Sequence, residues 1–327
     1  SCLVGSEMCI RDSMNLTWDG KHILFSGRKP KEDWSIYRVG IDGKGLEQLT
    51  DGQWPDISPC QMPDGRIVFV SGRRGTFVVC QGRRAGLLFT MKPDGSDIRL
   101  ISANIDSDHR PQIMNDGRIL FTRWDYGVEK NVFARHGLWS VNPDGTNIRL
   151  EFGNTIEDPA GFWNAKPVPG RPELISVLGP HHHHHGGMLG LVWNGRGTEA
   201  PRGYGYRWIT REFPVYGDRT LSNGYQDPFV INEKQFLVSY SAPTKTNKNQ
   251  VGIYYLDVYG NGTLVAQDSS DLSLYNPIRL KARKCPPVLA PKAPEYPFVH
   301  VKPEQANRSN KDVNQTGTLL VQDVYQG

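Results

Sequence analysis

Five consecutive histidines, His181 to His185, are the stretch of this sequence best equipped for chemistry. Neutral imidazole is a common ligand of transition metals, and on extended backbone alternate side chains share a face. His181, His183 and His185 would then converge on one side and offer a metal three nitrogens, with His182 and His184 opposite. A dedicated zinc or haem-iron site asks for defined ligand geometry and for partners that orient each ring. A polar loop that merely accommodates the run is the plainer reading. Gly179-Pro180 and Gly186-Gly187 bracket the histidines, with strand-like sequence beyond them on both sides, so the run belongs in an inter-strand loop. A second set of polar groups is Asp56, between Pro55 and Pro59, and Asp108-His109-Arg110, just before Pro111. These four are expected to line a face or a central channel, with loop capping and strand termination as the competing role.

The elements that must position these groups repeat along the chain. Asn115-Asp116-Gly117-Arg118-Ile119-Leu120-Phe121-Thr122-Arg123 pairs an Asp-Gly turn with a short apolar run, a hairpin signal with a physical basis. Glycine supplies the positive φ of a tight turn and the Asp side chain bonds its own backbone. The same grammar stands at Asp19-Gly20 and Asp64-Gly65, and the second half of the unit recurs at Asp42-Gly43, Asp94-Gly95 and Asp144-Gly145. Corresponding glycines lie roughly 45 to 52 residues apart, the period of four-stranded propeller blades. Two degenerate copies follow, from about Phe162 to Thr210 and from Asp227 to Gln267, with strands expected at 173–178, 188–193, 235–240 and 251–256. The fold is therefore expected to be an all-β, TolB-like or WD-type propeller with about five blades visible out of six, truncated at both ends.

Residues 1–13 match nothing in this grammar and resemble a translated sequencing-adaptor string of the kind found in assembled metagenomic data, so the fold is expected to begin at Met14. Blades are expected over 14–275. Proline-rich sequence over 276–315 reads as an extended linker leaving the propeller. Residues 316–327 read as the first strand of a further, truncated domain.

Composition narrows the function. A net charge of +4, scattered along the chain, argues against nucleic acid, and the Arg73-Arg74 and Arg83-Arg84 doublets read as loop solubility. No window of about 18 apolar residues exists to span a membrane. Cys60, Cys80 and Cys285 have no ligand-like spacing; a Cys60–Cys80 bridge across one blade and buried free thiols both stay open, the thiols being plainer. Trp124, Trp163 and Trp208 read as blade packing before they read as carbohydrate platforms. No Gly-x-Ser-x-Gly elbow is present.

The repeated Asp-Gly blades resemble the TolB-like six-bladed propellers. More narrowly, Asn115 to Trp124, Leu138 to Thr146, the Gly179-Pro180-His181-His182 stretch and the strand at 317–327 resemble the hydrazine synthase alpha-subunit-like proteins of planctomycetes and related bacteria. The resemblance implies an extracytoplasmic, periplasmic setting and a propeller that serves as scaffold and interaction surface for protein partners or for other domains of the same chain. In true hydrazine synthases it also implies c-type haem, combining nitric oxide and ammonium. Haem attachment requires Cys-x-x-Cys-His, which this sequence lacks. The alternative is that the propeller lends its histidine loop to a haem or metal redox centre completed beyond Gly327.

Overall fold

The computed structural model describes residues 9–79, 82–126, 135–157, 159–181, 186–210, 222–244, 250–270 and 272–292. The chain divides into two units, Ser1–Ala293 and Pro294–Gly327. The second, with the strand expected at 316–327, lies outside the described residues, as does Cys80.

The described chain forms five blades of four antiparallel strands, of which the third and fourth are joined into one eight-stranded sheet by a single parallel bridge. The first is β1 (Cys9–Leu16), β2 (His22–Arg28), β3 (Ser35–Gly40) and β4 (Glu47–Gln48). The second is β5 (Asp56–Gln61), β6 (Ile67–Ser71), β7 (Leu87–Met91) and β8 (Arg99–Leu100), and the third β9 (Asp108–Ile113), β10 (Ile119–Asp125), β11 (Arg135–Val141) and β12 (Arg149–Phe152). The fourth is β13 (Gly161–Pro167), β14 (Leu174–Gly179), β15 (Met188–Val192) and β16 (Tyr206–Trp208), and the fifth β17 (Ser222–Asn232), β18 (Gln235–Thr244), β19 (Gly252–Asp257) and β20 (Gly262–Ala266). The two degenerate copies thus fold as blades like the others. Strand β1 starts at Cys9 and pairs Cys9 with Arg28, so it runs through the boundary that the sequence suggests at Met14.

The middle strands read as continuous apolar runs because both of their faces are buried. In β6, Ile67 and Phe69 pack with Leu24 and Ile36 of the first blade, while Val68 and Val70 pack with Ile113 and Phe121 of the third. In β14, Leu174 and Leu178 meet Leu138 and Phe152, while Ile175 and Val177 meet Phe236 and Val238. The period-two alternation of a strand therefore feeds two apolar wedges, one on each side of every central blade.

The Asp-Gly turns hold the blade hairpins as the sequence indicates. Gly20, Gly65 and Gly117 donate to Thr17, Met62 and Met114 carbonyls, and Asp19, Asp64 and Asp116 accept from the backbone two residues on. The turns at Gly43, Gly95 and Gly145 repeat this with Asp42, Asp94 and Asp144.

Residues 272–292 depart from the expected linker. They are free of strand, but they stay on the propeller as a strap. Leu274 N–H donates to Val251 on the fifth blade, and Arg283 N–H donates to Trp18 on the first. Cys285 lies against Pro63 on the second, and Lys292 N–H donates to Asp144 on the third. Proline keeps this segment out of a sheet ladder, so its backbone groups find single partners on successive blades instead. The strap presses closely on two turns: a Cβ at Gly20 would sit 2.6 Å from Ala282 N, and one at Gly117 2.3 Å from Pro287 O.

Gly95 offers a direct test of blade spacing. An alanine there would take a φ of +83° and place its Cβ 2.1 Å from the Leu49 carbonyl of the neighbouring blade, whereas Gly43 has φ +78° with open space around it. Gly43→Ala is expected to cost about 1–2 kcal/mol, the price of a left-handed residue. Gly95→Ala is expected to cost on the order of 3 kcal/mol or more, because the blades must also separate. Urea denaturation of the two variants checks the difference.

Candidate functional site

The inner strands β5, β9, β13 and β17 share an irregularity that sets the chemistry of the centre. Ser58, Arg110, Asn164 and Asp227 adopt φ of 57, 49, 51 and 48°, and the pairing register of each inner strand shifts at that point. Pro59, Pro111 and Pro228 follow three of them. A proline inside a strand is tolerated at a sheet edge or a bulge, and these positions are both. The bulge brings the three later residues together in the centre. Arg110 Nη1 donates to Asn164 Oδ1 at 2.9 Å and to Asp227 Oδ1 at 3.0 Å, and Asn164 Nδ2 donates to the same Asp227 oxygen at 2.8 Å. Three blades are thus tied by one network. With Ser58, Lys166 and Asn276 it borders a cavity of about 20 Å³, room for a single water.

Asp56 and Asp108 do not line a face. They are 2% and 0% exposed, at the first position of β5 and β9. Their backbone N–H groups donate to Trp34 and Gly86 of the preceding blade. Asp56 pairs with Arg73 at 2.7 Å; Asp108 takes both arms of Arg123 at 2.8 and 3.0 Å and the Ser102 hydroxyl at 2.6 Å. Burial pushes the Asp56 carboxyl up, against the pull of Arg73. Each carboxylate pairs with an arginine of its own blade, while the backbone N–H at the strand start, and for Asp108 the Ser102 hydroxyl, clamp it to the preceding blade. Asp125 at the end of β10 is pushed up to about 6 by burial, with Asp108 and Asp106 adding to the shift and Arg123 opposing it.

His109 and His181 both pack on His136, at the opposite end of the blades from the Asp-Gly turns of the inner hairpins. His136 of β11, which bridges in parallel to Gly161 of β13, sits between them. Its Nε2 lies 2.7 Å from His181 Nδ1, so one imidazole donates and the other accepts. The His136 ring packs against Trp163 at 4.1 Å between centroids, His181 at 4.9 Å and Trp124 at 5.5 Å, with His109 at 6.4 Å. Trp124 and Trp163 are buried in this cluster and Trp208 is half-buried, so all three serve packing. A hydrogen-bonded imidazole pair can hold or pass a proton. It is two ligands where a catalytic zinc takes three. His183 and His185 lie outside the described residues, and among the described residues no group of three His, Cys, Asp or Glu side chains is placed to hold a metal. Cys60 is a buried free thiol, pushed up to about 11 by burial, and Cys285 is free and exposed.

Sequence reasoning missed Asn164, Asp227 and His136. Asp227 was signalled by the residue–proline step that it shares with Ser58 and Arg110, at equivalent places in three blades, whereas Asn164 is followed by Ala165 and carries no such step. His136 carries no local signal; the parallel contact between third and fourth blades creates its role.

No family model matches the chain. The alpha subunit of hydrazine synthase from Kuenenia stuttgartiensis is 24% identical over 301 residues, covering 73% of this chain and 34% of that protein. The solved structure of Kuenenia stuttgartiensis hydrazine synthase superposes with a TM-score of 0.67 at 20% identity, covering 86% of this chain and 42% of that one. In sequence and in fold the chain resembles the alpha subunit of hydrazine synthase. TolB from Acinetobacter baumannii superposes with a TM-score of 0.55 at 10% identity, over 82% of this chain and 56% of TolB, which supports the propeller fold alone. The hydrazine-synthase-alpha-like chain described here spans about a third of the curated relative's length.

The clamp predicts a sharp contrast between two ion pairs. Asp108→Ala strands the buried Arg123 and is expected to cost about 3–5 kcal/mol. Arg149→Met removes a half-exposed partner from Glu151, which keeps Ser140 and Arg118, and is expected to cost less than about 1 kcal/mol. Equilibrium unfolding in urea reads both.

Proposed function

We propose that this chain is the propeller module of an extracytoplasmic protein related to the hydrazine synthase alpha subunit, acting as a platform for other parts of its own protein or for partner proteins rather than as a catalyst. The observation that carries this reading is the strap. Residues 272–292 lie extended across the propeller and gain partners on the fifth, first, second and third blades in turn. A surface that holds strand-free chain through scattered backbone contacts and close glycine approaches is one suited to docking polypeptide. The resemblance to hydrazine-synthase-alpha-like and TolB-like proteins supports the extracytoplasmic setting. Among the described residues, no helix is long and apolar enough to cross a membrane.

The histidine rim favours a second reading. His136 and His181, stacked among tryptophans beside the histidine run, would contribute to a metal or haem redox centre shared with the rest of the protein.

Lysine cross-linking of the full-length protein, read by mass spectrometry, separates the two. The platform reading expects cross-links from the exposed Lys21, Lys44 or Lys281 to residues of another domain or another chain. Cross-links confined to the blades would contradict it. Stoichiometric zinc binding by calorimetry, lost in His136→Phe and His181→Ala, would move the function to the rim.

A further inference from the structure

The larger space within the propeller lies between the inner strands and the strap. It has a volume of about 610 Å³ and reaches from Met14, Asn15 and Leu16 of β1 to Phe229, Val230 and Ile231 of β17. That volume is in the range of small-molecule sites. Its charge is one-sided. Lys166, Arg279, Lys281, Arg283 and Lys284 line it, and among the described residues no carboxylate does. Asp227, the carboxylate that acts on Lys166, is already engaged by Arg110 and Asn164, beside the small cavity that Lys166 also borders. Arg283 reaches inward from the strap, donates from Nη2 to the Leu16 carbonyl at 2.6 Å and lies 4.8 Å over the Trp18 ring; its buried Nε has no hydrogen-bond partner. Lys166 and Arg283 also repel each other. Burial brings the Lys166 ammonium down to about 8, with Asp227 pulling up and Arg283 pushing down, and burial lowers the Arg283 guanidinium too.

Crowding two part-buried cations into a space that no described carboxylate lines is costly, and the cost is relieved when a negative group enters. Trp18, Phe229 and Ile278 supply apolar surface around the same space. We propose that this cavity binds an organic anion, its carboxylate or phosphate group held between Lys166 and Arg283 and its body against Trp18, Phe229 and Ile278. The site is independent of the histidine rim and of the platform role, and it uses the strap as one of its walls. A bound anion would also fasten the strap to β13, since the two cations come from those two elements.

Isothermal titration of the full chain with benzoate, phenyl phosphate and benzyl alcohol tests the site. One of the two anions is expected to bind saturably with one equivalent per chain, and the stronger of them identifies the headgroup. Benzyl alcohol is expected not to bind. Lys166→Met and Arg283→Met are each expected to weaken the anion about tenfold or more, as loss of a charge-assisted hydrogen bond does. Lys44→Met, an exposed cation outside the cavity, is expected to change nothing. Thermal melting guards against misfolding: Lys166→Met removes a charge that burial disfavours and is expected to melt no lower than the parent. If Arg283→Met unfolds, Arg283→Lys replaces it and is expected to bind the anion while retaining the fold. Absence of saturable binding by both anions, equal binding of benzyl alcohol, or unchanged affinity in Lys166→Met overturns the proposal.

Discussion

Each of four inner strands passes once through left-handed backbone, at Ser58, Arg110, Asn164 and Asp227. For residues other than glycine this conformation costs on the order of 1–3 kcal/mol each, and it persists only where surrounding structure fixes it. The centre of the propeller supplies that structure. Inner strands converge there, and a regular strand would leave their side chains to collide or point along the sheet. The bulge shifts the register by a residue, shelters the proline that follows, and brings Arg110, Asn164 and Asp227 into one network across three blades.

The remaining features depend on that arrangement. With the inner strands bent, Asp56 and Asp108 at their starts bond the preceding blade through their backbone N–H groups and pair with Arg73 and Arg123 of their own blades. The Asp-Gly turns at the other end of the first and third inner hairpins come close enough to the strap for Gly20 and Gly117 to admit no side chain. The strap in turn joins the fifth blade to the first through Leu274 and Arg283. It encloses a cationic space above the central network. Chemistry among the described residues is therefore divided between two ends, imidazoles and tryptophans at one and a cluster of cations at the other.

Much of the fold was legible because its cause is local. An Asp-Gly pair beside a β-branched run needs only its own residues to form a turn, so all six such turns and the blade period could be read directly. The fourth and fifth blades were legible for the same reason, from apolar runs at 173–178 and 235–240. The roles of Asp56, Asp108 and His109 were not, since a carboxylate before an inner strand looks the same whether it faces solvent or an arginine one strand away. The strap misled for a similar reason: proline-rich sequence excludes a ladder but says nothing of what lies beneath it. Lys166 gave no sign at all, because a cation becomes unusual only when the fold removes its neighbours' carboxylates.

The bulge residues hold the blades together through the Arg110–Asp227 contact, rather than merely occupying the centre. A double-mutant cycle of Arg110→Met and Asp227→Asn, followed by urea denaturation, measures it directly. The two side chains are 12% and 4% exposed, so a coupling energy of about 1–3 kcal/mol is predicted. Additivity to within about 0.5 kcal/mol would contradict the account and leave the inner strands held by apolar packing alone.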